Sequence, residues 1–187
     1  MERIRYGIVG TGGMGSGHAR TMQGVDECQL AAVCDIQPDV AEEVGEEYSV
    51  PYFTDYRELV DLDAVDAIIV ATPHYFHPEI AIYAMEHGKP VISEKPIAVT
   101  VSGADAMVEV AQRTGTPFAV MHQRRSEPVW QAAFKLVSEG KLGELYRTML
   151  VYADFRSQAY YNSAGWRATW AGEGGGVLIN QSPHSID

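Results

Sequence analysis

Over the first 122 residues, short apolar runs alternate with longer amphipathic stretches. The runs are IRYGIVG (4–10), QLAAVCD (29–35), VPYF (50–53), DAIIVAT (66–72), PVISE (90–94) and PFAVMH (117–122). Between them, helical patterns begin near Gly13, Pro38, Asp55, His77 and Thr100. Strand followed by helix, repeated along the chain, predicts right-handed crossovers and a parallel sheet covered on both faces. The punctuation agrees. Pro38 stands just after a strand end, and HGKP (87–90) and TGTP (114–117) place a glycine stop before the next strand. The expected class is α/β, with a doubly wound parallel sheet.

The first strand runs into GTGGMGSG. Gly10, Gly12 and Gly15 form G-x-G-x-x-G at a strand-to-helix junction, where a tight turn brings backbone N–H groups and a helix start against a pyrophosphate. Gly13 and Met14 lie within the same loop. A glycine-rich turn of purely structural origin is the competing reading, and the second strand shifts the balance. It ends at Asp35, twenty positions after Gly15, where a carboxylate can accept hydrogen bonds from ribose hydroxyls. A helix N-cap ahead of Pro38 is the alternative role for Asp35. A carboxylate there repels a 2′-phosphate and no Arg or Lys follows in DIQPD, so NAD is favoured over NADP.

Ligands of open α/β sheets lie beyond the carboxyl ends of the strands. The fourth strand ends in ATPHYFH (71–77), which brings Thr72, Pro73, His74 and His77 toward the glycine loop. His74 and His77 also spell H-x-x-H. No Cys or carboxylate accompanies them at ligand spacing, and His77-Pro78 reads as a helix start, so no metal is assigned. The fifth strand ends in VISEKP (91–96). Lys95 at that edge can aim an ammonium at a substrate oxygen. Glu94 can hold a ribose hydroxyl or the lysine, and Pro96 fixes the exit of the chain. A solvent-facing Glu-Lys pair with a loop proline is the bland alternative.

Composition narrows the partners. With 46% apolar and 21% charged residues, the chain can bury a full core. The net charge of −11 argues against nucleic acid and anionic membranes. Up to His122 there are 19 acidic and 7 basic residues, a balance of −12, whereas from Gln123 onward 6 acids face 7 bases. That shift predicts a domain boundary near 122. Glu42, Glu43, Glu46 and Glu47 read as the solvated face of a helix. Cys28 and Cys34, in or beside an apolar run, read as small buried thiols in a reducing compartment. MERIRYGIVG has no long apolar leader segment, and eighteen apolar residues never stand together, so a soluble cytoplasmic protein is expected.

The second region is less regular. ELYRTMLVYADF (144–155) alternates like a long strand of a second sheet. In MHQRRSEP (121–128), Gln123 and Arg124 are candidates for the nicotinamide side or the substrate, and Arg125 reads equally well as a surface cation. RSQAYYNSAGWR (156–167) is loop-like; its Tyr160, Tyr161, Trp166 and Arg167 offer the flat faces and forked donors used in sugar sites, although loop aromatics commonly pack on their own domain. After EGGGV the pattern turns helical, so Asn180 and His184, four apart, are expected on one helix face.

The glycine loop, ATPHYFH, HGKPVISEKP and GWRATWAGEGGGVLINQSPHSID together resemble the Gfo/Idh/MocA oxidoreductases. The resemblance covers the whole chain. It implies a Rossmann-type domain (1–122) followed by the beginning of an α+β, open-faced sheet domain (123–187), on which members commonly form homo-oligomers. It also implies that the chain corresponds to an N-terminal portion of such a protein. The implied activity is NAD-dependent oxidation of a sugar or polyol hydroxyl, or reduction of the ketone. The family's lysine falls on Lys95 and its histidine on His184, a residue type suited to acid–base work near neutral pH. Many members carry Asp where Asn180 stands; Asn can orient an imidazole but supplies no charge. Trp166 and Arg167 fit the family pattern beside cofactor or substrate. Other branches imply redox-neutral glycoside hydrolysis with tightly held NAD. A nucleotide-binding sensor, or a noncatalytic fragment that binds cofactor or another subunit, completes the alternatives.

Overall fold

The computed structural model describes residues 3–187. Six parallel strands form one sheet: β1 (Ile4–Val9), β2 (Cys28–Cys34), β3 (Tyr52–Phe53), β4 (Ala67–Val70), β5 (Val91–Ser93) and β6 (Phe118–Val120), in the order β3-β2-β1-β4-β5-β6. The order reverses direction at β1, so the ends of β1 and β4 border a crevice of the kind in which such sheets bind ligands. Helices α1 (Gly13–Met22), α2 (Pro38–Tyr48), α3 (Tyr56–Val60), α4 (His77–Glu86) and α5 (Val101–Thr114) make the crossovers.

Local chemistry explains where these helices start and stop. Asp55 accepts the Arg57 N–H at the start of α3, and the Thr100 hydroxyl accepts the Gly103 N–H at the start of α5. Pro38 occupies the first turn of α2, where its missing N–H costs nothing. Alternate strand positions then feed two cores. Ile8, Val33 and Ile69 pack with Ala19 and Met22 of α1 and Val44 of α2. Val9, Cys34, Ile68 and Val70 pack on the other face with Leu59 of α3, Met85 of α4 and Met107 of α5. Period-2 alternation thus sorts side chains between the two faces, and all four residues of β4 are buried. Glu42, Glu43, Glu46 and Glu47 are exposed, as their charge requires. Cys34 is buried and Cys28 partly so, both as free thiols; burial pushes the Cys34 thiol up to about 12.

Beyond β6 the pattern-based expectations meet two corrections. Residues 144–155 form neither a helix nor a strand and belong to no sheet. A strand needs a neighbour for its backbone N–H and C=O groups, and no other segment of the described residues pairs with this one. The described residues therefore contain no second sheet. Helix α6 (Pro128–Ser138) was not foreseen, although Pro128 is a regular first-turn residue. Four short helices follow: α7 (Gln158–Tyr161), α8 (Trp170–Glu173), α9 (Val177–Asn180) and α10 (Pro183–Ile186). Among the described residues no helix is long and apolar enough to cross a membrane.

Met107 of α5 is fully buried in the core. Met107→Ala is expected to destabilise the fold by about 2–5 kcal/mol in urea unfolding, the range for emptying a buried aliphatic site. A loss below about 1 kcal/mol would show that the α5 side of the core collapses freely around the gap.

Candidate functional site

The glycine loop combines close packing with an open rim. Gly10 has φ +89°, and a methyl group there would come within 2.7 Å of the Ala71 carbonyl carbon. A side chain at Gly15 would run into the Gly10 carbonyl oxygen, so this helix and strand approach as closely as they do because both residues are glycine. Gly12 and Gly13 instead border open space and are exposed, as is Met14. Their amides belong to the first turn of α1 or just precede it, where a helix leaves N–H groups without intrahelical partners. Asp35 follows the end of β2. Its Oδ2 accepts the Thr11 N–H at 2.9 Å and its Oδ1 accepts the Gln37 N–H at 3.0 Å. Gln37, not Asp35, is the N-cap residue of α2. A carboxylate has about four acceptor sites, so Asp35 ties the loop down and retains capacity for ribose hydroxyls. This loop fits a dinucleotide.

Lys95 projects from the loop after β5, and its peptide bond to Pro96 is cis. Its Nζ donates to the Asn180 backbone oxygen at 2.6 Å and to Asn180 Oδ1 at 3.3 Å. An ammonium carries three donors, which leaves one for a ligand. Glu94 does not hold this ammonium directly. Its Oε1 accepts from His18 Nε2 at 2.8 Å, and its Oε2 accepts the Lys95 backbone N–H at 3.2 Å. Asn180 is buried and donates from Nδ2 to Glu173 Oε1 at 2.6 Å. Neither His18 nor Glu173 stood out in the sequence. His18 is three positions beyond Gly15, on the inward stripe with Ala19 and Met22, a spacing that could have found it. Glu173 precedes a glycine triplet and carried no such signal.

The histidines divide into two kinds. His77 is fully buried, with Nδ1 facing the Pro96 carbonyl at 2.9 Å and Nε2 facing the Thr72 carbonyl at 2.8 Å. Both ring nitrogens are engaged by backbone, so His77 is a strut between the β4 and β5 loops with no ring nitrogen left for a ligand. His74 is also buried and donates from Nδ1 to the Glu173 carbonyl at 2.9 Å, with its ring edge-on to Trp166. Burial lowers the pKa of both rings. Asn180 and His184 do not share one helix, contrary to the spacing argument. Pro183 has no N–H to continue α9, so a new turn, α10, begins there. His184 nevertheless lies within electrostatic range of Lys95. Burial lowers its pKa, and the nearby Lys95 and Arg124 cations lower it further. The Lys95 ammonium is pulled down by burial, supported by Glu94 and Glu173, and opposed by Arg167.

Two buried polar atoms at this locus, Thr72 Oγ1 and His184 Nδ1, have no hydrogen-bond partner. Such atoms are costly without one. Pro73 precedes the turn that contains His74. Arg124 reaches Ser185 Oγ at 3.3 Å, which brings it to α10, whereas Gln123 beside it is exposed. Arg125 pairs with Asp187. Arg167 lies over the rings of Tyr160 and Trp166 and donates to the Tyr160 hydroxyl at 2.9 Å. An open cavity of about 410 Å³ adjoins Glu173 and is walled by Tyr152, Arg156, Tyr161 and Trp170. Among the described residues, no group of three or more His, Cys, Asp and Glu is placed to hold a metal.

Comparison with known proteins places this geometry in context. Residues 4–122 match the Gfo/Idh/MocA model described as an oxidoreductase family with an NAD-binding Rossmann fold, and residues 130–187 match a Gfo/Idh/MocA C-terminal domain. The chain is 32% identical over 190 residues to inositol 2-dehydrogenase from Rubrobacter xylanophilus, covering 100% of this chain and 51% of that protein. It is 36% identical over 145 residues to 2,7-anhydro-N-acetylneuraminate hydratase from Mediterraneibacter gnavus, covering 78% of this chain and 38% of that protein. The crystal structure of the WlbA dehydrogenase from Bordetella pertussis in complex with NADH and UDP-GlcNAcA superposes with a TM-score of 0.87 at 28% identity, covering 99% of this chain and 57% of that one. The chain spans about half the length of the curated relatives it matches. Because one family model alone accounts for residues 4–122, the chain belongs to the Gfo/Idh/MocA oxidoreductase family and carries its NAD-binding Rossmann fold.

Proposed function

We propose that this chain supplies the cofactor site and the acid–base groups of an NAD-dependent dehydrogenase that oxidises a secondary hydroxyl of a sugar or polyol. The observation that carries this reading is the part-buried Lys95 ammonium, held by Asn180 with one donor free, close enough to His184 for its charge to be felt there. Gly10, Gly12, Gly13, Met14 and Gly15 hold the pyrophosphate, Asp35 the adenine-side ribose, and Thr72, Pro73, His74 and Glu94 border the nicotinamide half. When bound, NAD supplies the hydride acceptor.

Lys95 takes the substrate oxygen as its third partner and stabilises the negative charge that develops on it. His184, neutral because its surroundings disfavour the imidazolium, accepts the hydroxyl proton as hydride leaves the same carbon. Asn180 orients Lys95. Arg167 and Trp166 border the substrate side, with Tyr160 behind them and Arg124 beside α10. The polyol and sugar class is supported by relatives such as the inositol 2-dehydrogenase and the UDP-GlcNAcA-bound dehydrogenase. The domain division at 122/123 and assembly into homo-oligomers belong to the same proposal.

Lys95→Ala is expected to keep NAD affinity within a few-fold while NADH formation from a panel of inositols and aldoses falls by at least about 100-fold, the scale on which removing one preorganised electrostatic donor acts. Unchanged turnover would remove Lys95 from the chemistry. For Asp35→Ala, fluorescence titration is expected to show weaker NAD binding with NADP affinity equal or improved; an unaltered NAD-to-NADP ratio would reject the ribose assignment. The pH dependence of kcat/KM for oxidation is expected to be bell-shaped. His184 is depressed from 6.5, so its proton-accepting form persists below that pH and the acid limb lies on the acidic side of 6.5. Lys95 is depressed from 10.5, so its ammonium is lost, and activity falls, before pH 10.5 is reached. An acid limb above 6.5 would exclude His184 as the base.

A further inference from the structure

Among the described residues the buried carboxylates are Glu94 and Glu173, at 6% and 3% exposure. The Glu94 carboxylate accepts a hydrogen bond from the His18 ring. Glu173 makes no ion pair; its Oε1 instead takes the Nδ2–H of Asn180 at 2.6 Å. A buried carboxylate without a compensating charge is unfavourable, so the position of the nearest cation matters. Asn180 gives its two oxygens to the Lys95 ammonium while its NH2 group donates to Glu173. Only this orientation of the amide satisfies both neighbours, since a carboxylate cannot donate and an ammonium cannot accept. The amide therefore sets its positive NH2 end against the anion and its negative oxygen end against the cation, and links the two charges.

The geometry around Glu173 is fixed from several sides. Thr169 caps α8 through the Gly172 N–H at 3.0 Å. The Glu173 carbonyl accepts His74 Nδ1, and a side chain at Gly174 would run into Val99. The charged and titratable groups facing Lys95 are Glu94 at the end of β5, Glu173 on α8, Arg167 ahead of α8, His74 and His77 after β4, and His184 on α10. Lys95 feels both carboxylates, Glu94 first and Glu173 next, and Glu173 is the one that reaches the ammonium through the Asn180 amide.

We propose that Glu173 is a positioning residue for Lys95, its carboxylate acting through the Asn180 amide to keep the ammonium charged and aimed at the substrate oxygen. This deepens the dehydrogenase reading of the same site and rests on it. The negative charge that an amide at position 180 lacks is supplied from one residue further away.

The test compares wild type with Glu173→Gln, Glu173→Asp and the double variant Glu173→Gln/Asn180→Asp. NAD binding is followed by fluorescence. The titration midpoint of Lys95 is read from trace labelling with acetic anhydride across pH, with the Lys95 peptide quantified by mass spectrometry, which needs no turnover. Glu173→Gln is expected to bind NAD like wild type and to lower the Lys95 midpoint by about 1 pH unit, the lower end for loss of a nearby opposite charge. The alkaline limb of kcat/KM should move with it. Glu173→Asp should shift less, and the double variant should return both toward wild type. A Gln variant that binds NAD with both midpoints unmoved, or a double variant that restores neither, overturns the proposal. If Glu173→Gln does not bind NAD, Glu173→Asp decides by the same labelling, an unmoved midpoint being the adverse result. Wild-type protein that oxidises no member of the polyol panel counts against the dehydrogenase reading, while the labelling midpoint still tests the Glu173 link separately.

Discussion

A part-buried ammonium organises this molecule. Lys95 follows the fifth strand of a largely apolar sheet, and its charge has to be met by acceptors within the protein. Those acceptors come from Asn180, 85 positions away. Hydrogen bonds to charged groups contribute about 1.5–3 kcal/mol each, more than the neutral contacts around them, so this one side chain ties the far end of the chain to the edge of the nucleotide fold. His74 adds a second tie by donating to the Glu173 carbonyl. The short helices α8 to α10 owe their placement to these polar anchors more than to apolar burial: Asn180 and Glu173 are buried, whereas Val177, Leu178 and Ile186 are exposed.

How much of this could be read from sequence follows from the range of the interactions involved. The strands and helices of residues 4–120 are set by period-2 and helical alternation, by Asp55 and Thr100 as caps, and by Pro38 as a first-turn residue, all features local enough to survive as pattern. The glycine loop is similar, because the contact between Gly15 and the Gly10 carbonyl is a short-range constraint that glycine alone relieves. The segment 144–155 also alternates, but alternation specifies only which side chains share a face; pairing requires a second strand, and the described residues provide none. Asn180 and His184, four apart, occupy separate short helices because Pro183 between them lacks the N–H that would continue α9. Glu173 was invisible for a different reason: its partner is an amide seven residues ahead, and its effect reaches Lys95 through that amide, a relation that no local spacing rule contains.

The two buried carboxylates show how the fold separates similar charges into different roles. Glu94 lies beside an imidazole on α1, and His18 and the Lys95 backbone amide hold its pKa below the ordinary carboxylate value despite burial. That arrangement fixes the loop after β5 against the first helix, and the Glu94 charge also supports the Lys95 ammonium. Glu173 has a neutral neighbour, the Asn180 amide, which also meets the Lys95 ammonium and so connects the two charges. An aspartate at position 180 would bring a negative charge against the ammonium and leave Glu173 facing a second carboxylate, a like-charge pair that drives one member toward protonation. Asparagine at 180 and glutamate at 173 are thus a consistent pair: the amide avoids the repulsion and transmits the attraction. The site keeps one net negative charge opposite Lys95 on this side, set back by the length of an amide, and the space beside the ammonium remains available for a substrate oxygen.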